Sequence, residues 1–202
     1  MITSQSTLAG STLTGELSGY IFKTGIRMKK TMNTAVEMMD VVDKDDNVVG
    51  QATRTEVEDK LLRFRIVHVM LTNDVGNILV QWRKADKKVS PRTFTASAAG
   101  AVEAGESFDD AAVRELKEEM GVSLRKPKKL ELLGTFQVNK GRVCNGVLYA
   151  AEWNGDVEGW EEEADALDFW SRDEAEYMLK RFPFLLSVSF QASLKLYLKV
   201  TK

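Results

Sequence analysis

The sequence predicts an α+β fold, a mixed β-sheet held between helices in an α/β/α sandwich. Three observations carry this. Short β-branched and apolar segments outnumber the helical ones, one strongly helical segment lies mid-chain, and further helical segments gather near the C-terminal end. Strict alternation of strand and helix, the mark of a parallel βαβ sheet, is missing.

The elements follow in chain order. Met38–Val42 reads as a strand, residues 43–47 as a polar turn, and residues 48–52 as a returning strand. Thr53 and Glu56 have capping-box spacing and open a short helix. Residues 65–72 and 77–83, joined by Asn73-Asp-Val-Gly76, predict a hairpin. A loop bearing Lys84, Lys87, Lys88 and Arg92 leads into residues 94–102, extended and built of small side chains. Residues 107–120 are helical, residues 130–138 and 143–153 are two more strands, and 167–170 is short and extended. Ser171 and Glu174 cap a helix to about Phe182, and Pro183 suits the first turn of a last helix.

Composition bounds the function. The chain has 202 residues, 44% of them hydrophobic, enough for a sizeable core. A net charge of −2 offers no global attraction to nucleic acid or anionic membrane, so any basic site is local. The single cysteine, Cys144, allows no internal disulfide and fits a reducing, cytoplasmic compartment. No apolar run is long enough to span a membrane. Residues 1–34 are Ser-, Thr- and Gly-rich with a basic cluster at Arg27, Lys29 and Lys30. They are expected to be a flexible leader ahead of a domain over residues 35–202, with organelle targeting left open.

The central helix carries the chemistry. Ser107 caps it, Asp109 and Asp110 sit where the dipole favours acids, and Gly121 follows the last turn. Glu115, Glu118 and Glu119, at i, i+3 and i+4, fall within about 100° of one face. Two of them lie at the helix C-terminus, where the dipole disfavours acids, and like charges at this spacing cost a few tenths of a kcal/mol per pair. A helix selected for stability alone would place lysine there. Clustered carboxylates at that cost suit a hard cation such as Mg²⁺, which takes oxygen ligands.

The wider pattern is Gly100, then Glu106, then Arg114-Glu115-Leu116-Lys117-Glu118-Glu119-Met120-Gly121-Val122. It resembles the complete signature of the Nudix family, with no departure at a fixed position. The resemblance implies a Nudix fold with a loop–helix–loop catalytic motif and a Mg²⁺- or Mn²⁺-dependent hydrolase of a diphosphate linkage. It further implies that Glu115, Glu118 and Glu119 bind metal, joined by the Gly100 carbonyl. Glu118, Glu119 and Arg114 become the candidate catalytic residues, Arg114 in an orienting role, with Glu106 and Gly121 structural. A glutamate of the helix or of a later loop would act as base; Glu161, Glu162 and Glu163 read first as a solvated loop.

Outside this segment, DVVDKDDNVVG from Asp40 to Gly50, Ala52-Thr-Arg54 and LLRFR from Leu61 to Arg65 resemble isopentenyl diphosphate isomerases and a hydrolase group related to them. The groups of isomerase chemistry are missing: Ala99, Ala101, Phe64, Lys140 and Arg142 stand at their positions. A methyl group replaces neither a thiol nor an imidazole in proton transfer. His68 and Cys144 match none of these groups and are expected to be structural. Arg83 and Lys87 match basic residues that contact diphosphate in the isomerases, and Arg142 adds charge to the same sheet. These three are the candidate substrate-binding residues, for a small-molecule diphosphate. Phe94, Phe136, Tyr149, Trp82 and Trp160 are each readable as core or as a stacking surface for a base. Substrate identity and assembly state, a homodimer included, stay open.

Overall fold

The structure is a computed structural model that describes residues 36–124 and 130–201; the leader expected over residues 1–34 lies outside them. Strands β1 (Met38–Val42) and β2 (Val48–Thr53) form a separate antiparallel ribbon. The Asp43 carboxylate closes their turn by accepting the backbone N–H groups of Asp45 and Asn47. Helix α1 (Arg54–Asp59) opens with the capping box of Thr53 and Glu56, as their spacing predicts.

The remaining strands make one mixed sheet. They are β3 (Phe64–Thr72), β4 (Ile78–Arg83), β5 (Phe94–Thr95), β6 (Ala98–Ala101), β7 (Glu131–Lys140), β8 (Arg142–Glu152) and β9 (Ala164–Trp170). The central strand β3 pairs parallel with β8 along its whole length and antiparallel with β6 at Ile66–Val69. On the far side, β4 pairs with β5 and β9.

Three expectations need correction. The hairpin of residues 65–72 and 77–83 turns at Asn73 and Gly76, but β3 and β4 meet only at Thr72 and Ile78. A strand has two edges, and those of β3 go to β6 and β8. The extended segment 94–102 is broken into β5 and β6 by the buried Ser97. Its hydroxyl accepts the Leu71 N–H at 2.7 Å and donates to the Leu79 carbonyl at 2.5 Å. It thereby stands in the gap between β3 and β4 and satisfies backbone groups the ladder would otherwise pair. Pro183 opens a separate 3₁₀ turn, Pro183–Leu185, and not the last helix. The chain extends again at Leu186, and α4 (Val188–Val200) starts under its own cap, Ser187, whose side chain accepts the Phe190 N–H.

Each face of the sheet buries its own core, and β3 feeds both because alternate side chains point to opposite faces. Ile66 and Met70 join Phe190, Leu194 and Tyr197 of α4 and Ala175 of α3 (Arg172–Arg181). Val67, Val69 and Leu71 join Ala111, Ala112, Leu116 and Met120 of α2 (Phe108–Met120). This is the predicted α/β/α sandwich. Leu116 is fully buried, and truncating a leucine so placed to alanine costs about 2–5 kcal/mol.

Candidate active site

Local sequence fixes α2 at both ends. The Ser107 side chain accepts the Asp110 N–H at 3.1 Å, and Gly121 turns left-handed at φ 65, a conformation glycine adopts without strain. With Ala111, Ala112, Leu116 and Met120 locked into the core, the turn containing Glu115 and Glu119 is pressed against β6.

The three helical glutamates share an arc of α2 but not one environment. Glu115 and Glu119, one turn apart, are 8% and 7% exposed, whereas the Glu118 side chain is 48% exposed. Glu119 accepts from Gln81 Nε2 at 2.8 Å and from the Ala99 N–H at 3.1 Å. Burial, together with the nearby charges of Glu115 and Glu163, pushes its carboxyl up to about 8. Burial also raises Glu115, against the pull of Arg114.

Arg114 organises this group. Its Nε and Nη2 reach the two oxygens of Glu106 at 2.9 and 2.8 Å, Nη2 also donates to the Ala101 carbonyl at 2.9 Å, and Nη1 donates to Glu115 Oε1 at 2.6 Å. Such fork geometry is available to arginine and not to lysine. A Cβ at Gly100 would collide with the Glu115 carboxylate, so the glycine leaves the space that the carboxylate fills.

Among the described residues, no three His, Cys, Asp or Glu side chains converge closely enough to hold an ion as they stand. The donor chemistry nevertheless fits a hard cation. All the groups are oxygen donors, and Glu115 and Glu119 are carboxylates whose charge burial penalises. Gln81 Oε1 is the buried side-chain polar atom left without a partner among the described residues, and the other end of that amide donates to Glu119.

On the other face of β6 lies a cavity of about 70 Å³ whose lining includes Arg54, Arg83, Arg142, Ala99, Gly100 and Ala101. A water needs about 10–15 Å³ on this scale, so the space suits one phosphate-sized group. Arg83 and Arg142 have no acidic partner among the described residues. Among the described residues the Arg83 side chain donates to the Val89 carbonyl, at 3.3 Å, and Arg142 lies over the Phe64 ring at 4.8 Å. Burial and the neighbouring guanidiniums of Arg54 and Arg83 lower the basicity of Arg142.

Lys87 does not line this cavity and is paired with Glu163 at 2.6 Å. Glu163 is therefore engaged and half-buried, not a freely solvated loop acid. His68, expected to be structural, is buried, hydrogen-bonded to Ser193 at 2.8 Å and edge-on to Phe136, and it also lines the arginine cavity. Cys144 is a buried free thiol.

Sequence reasoning missed Arg54 and Gln81. Arg54 reaches the cavity only through tertiary structure. Gln81 left a signal, as a polar break in the aliphatic run Ile78-Leu-Val-Gln81.

A carboxylate cluster on a clamped helix, with guanidiniums across a thin strand, is the equipment of enzymes that hydrolyse acid anhydrides in phosphorus-containing compounds. The chain belongs to the NUDIX domain family, whose pattern matches residues 62–187. An uncharacterized Nudix hydrolase of Streptomyces coelicolor is 36% identical over 159 residues, covering 78% of this chain and 87% of that protein. A second, from Nostoc, is 38% identical over 109 residues, and the match spans 54% of this chain but 64% of the relative. The crystal structure of a Deinococcus radiodurans protein shares the fold, with a TM-score of 0.66 at 21% identity over 82% of this chain and 100% of that one. No helix among the described residues is long and apolar enough to cross a membrane.

Proposed function

We propose that the chain, through a domain spanning residues 35–202, hydrolyses a diphosphate linkage in a small anionic substrate with Mg²⁺ or Mn²⁺. The observation that carries this is the placement of Glu115 and Glu119, two carboxylates buried side by side at β6, one of them gripped by Arg114. Burying two acids together costs stability, and such costs concentrate at sites that use the charge. Glu115, Glu118 and Glu119, with the Gly100 carbonyl, would hold the cation. When bound, it neutralises diphosphate charge, polarises phosphorus and lowers the pKa of water.

The chain's own groups do the rest. Arg114 fixes the Glu115 carboxylate. Arg83 and Arg142 bind and orient phosphate oxygens, with Lys87 at the margin, available if Glu163 releases it. A carboxylate of the cluster accepts the proton of the attacking water. Within the family we place the chain with the hydrolases that resemble isopentenyl diphosphate isomerases. Ala99 and Ala101 line the arginine cavity and offer no group for moving a proton to or from carbon.

The test is a panel of nucleotide sugars, dinucleotides, nucleoside triphosphates and prenyl diphosphates with Mg²⁺, beside isopentenyl diphosphate in deuterated water. The expected result is phosphate or monophosphate release from at least one compound and no deuterium in an allylic product. Enzyme-dependent deuterium incorporation would establish isomerase activity instead, and silence in both arms would leave a ligand-binding domain.

A further inference from the structure

The arginine cavity does not end at its guanidiniums. Val89, Ser90, Arg142 and Ser189 are shared with a second, larger groove of about 400 Å³, a size within the range of small-molecule sites. Its apolar lining comes from Val57, Leu61, Leu62, Phe64, Val143 and Val188. Of its other charged side chains, Glu58 and Lys88 pair with each other at 2.7 Å and Asp59 is exposed. The groove thus presents hydrocarbon to whatever is attached to an anion held by Arg83 and Arg142.

Two further observations narrow the occupant. Leu61 and Val188 are 58% and 41% exposed, and Leu61 is held at φ 50, a left-handed conformation unfavourable for leucine. Exposure and strain in one apolar residue at a groove point to use. The two spaces also offer little for a nucleobase to stack on. Phe64 and the buried His68 are the aromatic side chains in their linings, and the Phe64 face carries the Arg142 guanidinium.

We infer that the substrate is an organic diphosphate bearing an aliphatic group, one phosphate at Arg83 and Arg142 and its hydrocarbon in the groove, and not a nucleotide. This rests on the diphosphate hydrolysis proposed above and specifies its substrate class.

The test measures kcat/KM of the full chain with Mg²⁺ on butyl, hexyl and octyl diphosphates beside ADP-ribose and nucleoside diphosphates. Calorimetric titration with the corresponding alkyl monophosphates gives binding without turnover. Affinity is expected to rise about fourfold per added methylene until the groove is full. Leu61→Asn, which suits a left-handed backbone, and Val188→Ser should both flatten that dependence, with circular dichroism showing an intact fold. Nucleotides cleaved faster than any alkyl diphosphate, or affinity indifferent to chain length, would overturn this inference and leave the hydrolase reading standing. Failure to cleave any diphosphate would overturn both.

Discussion

Arg114 and Glu115 are neighbours in sequence, yet the arginine bends back to donate to Glu115 Oε1 at 2.6 Å while its other nitrogens grip Glu106. The guanidinium thus ties the loop before α2 to the first of the buried carboxylates. Arg114→Lys keeps the charge and loses the fork. We expect kcat to fall roughly ten- to a hundredfold, the scale for disturbing a group that orients a metal ligand. Mg²⁺ affinity should weaken with it. Steady-state kinetics across a Mg²⁺ titration reads both, and an unchanged Mg²⁺ dependence would show that Arg114 serves only the fold.

Glu119 should trade stability for activity. Its carboxyl is raised to about 8 because it is buried beside other acids. Between its unfolded value, near 4.5, and about pH 8 the folded state holds the extra proton, so stability falls as pH rises through this window. Glu119→Gln is expected to melt higher than the parent at pH 8 without metal. It should lose on the order of a hundredfold in turnover and much of the stabilisation that Mg²⁺ gives the parent. Melting with Mg²⁺ and with chelator checks the stability half; a variant with full turnover refutes the metal site.

Gly100→Ala is a narrower probe. The added methyl meets the end of the Glu115 side chain and not backbone, so the carboxylate moves and the fold remains. A large loss of turnover with a melting temperature within a few degrees of the parent is expected. Parental turnover would mean that the position of Glu115 is not critical.

His68 makes the protein acid-sensitive. Burial, then the charges of Arg142 and Arg83, depress its pKa to about 3. Above about pH 6.5 the ring is neutral folded or unfolded and contributes no pH dependence. Below that the unfolded chain takes up a proton the folded chain refuses, so stability falls as pH drops, by up to about 1.4 kcal/mol per unit until about pH 3. Urea unfolding at pH 7 and pH 5 measures this. In His68→Gln the extra loss between those two values should be absent.

What was legible in the sequence was local. The caps at Thr53, Ser107, Ser171 and Gly121 act within a few residues, and the elements they bound appear as their spacing predicts. The misplaced acids of α2 were visible because the helix dipole is local too. The splitting of β3 from β4 was not, since it depends on Ser97 arriving from beyond a loop to satisfy Leu71 and Leu79. Nor was the company of Arg83 and Arg142: Arg54 joins them from another element, and Lys87 is drawn away by Glu163. Periodicity placed the three glutamates within one arc, but the packing of α2 decided which two would be buried.

Strand β6 is a wall one residue thick. Glu119 takes its hydrogen bond from the Ala99 N–H on one side, while Ala99, Gly100 and Ala101 border the arginine cavity on the other. If the proposed function holds, cutting and choosing fall to different elements: α2 holds the carboxylates, while α1, β4 and β8 supply the guanidiniums. Such a division lets one half be rewritten while the other is kept. On that reading, exchanging Arg142 is expected to change which compound is held more than how it is cut, whereas enlarging Ala99 or Gly100 would disturb both at once.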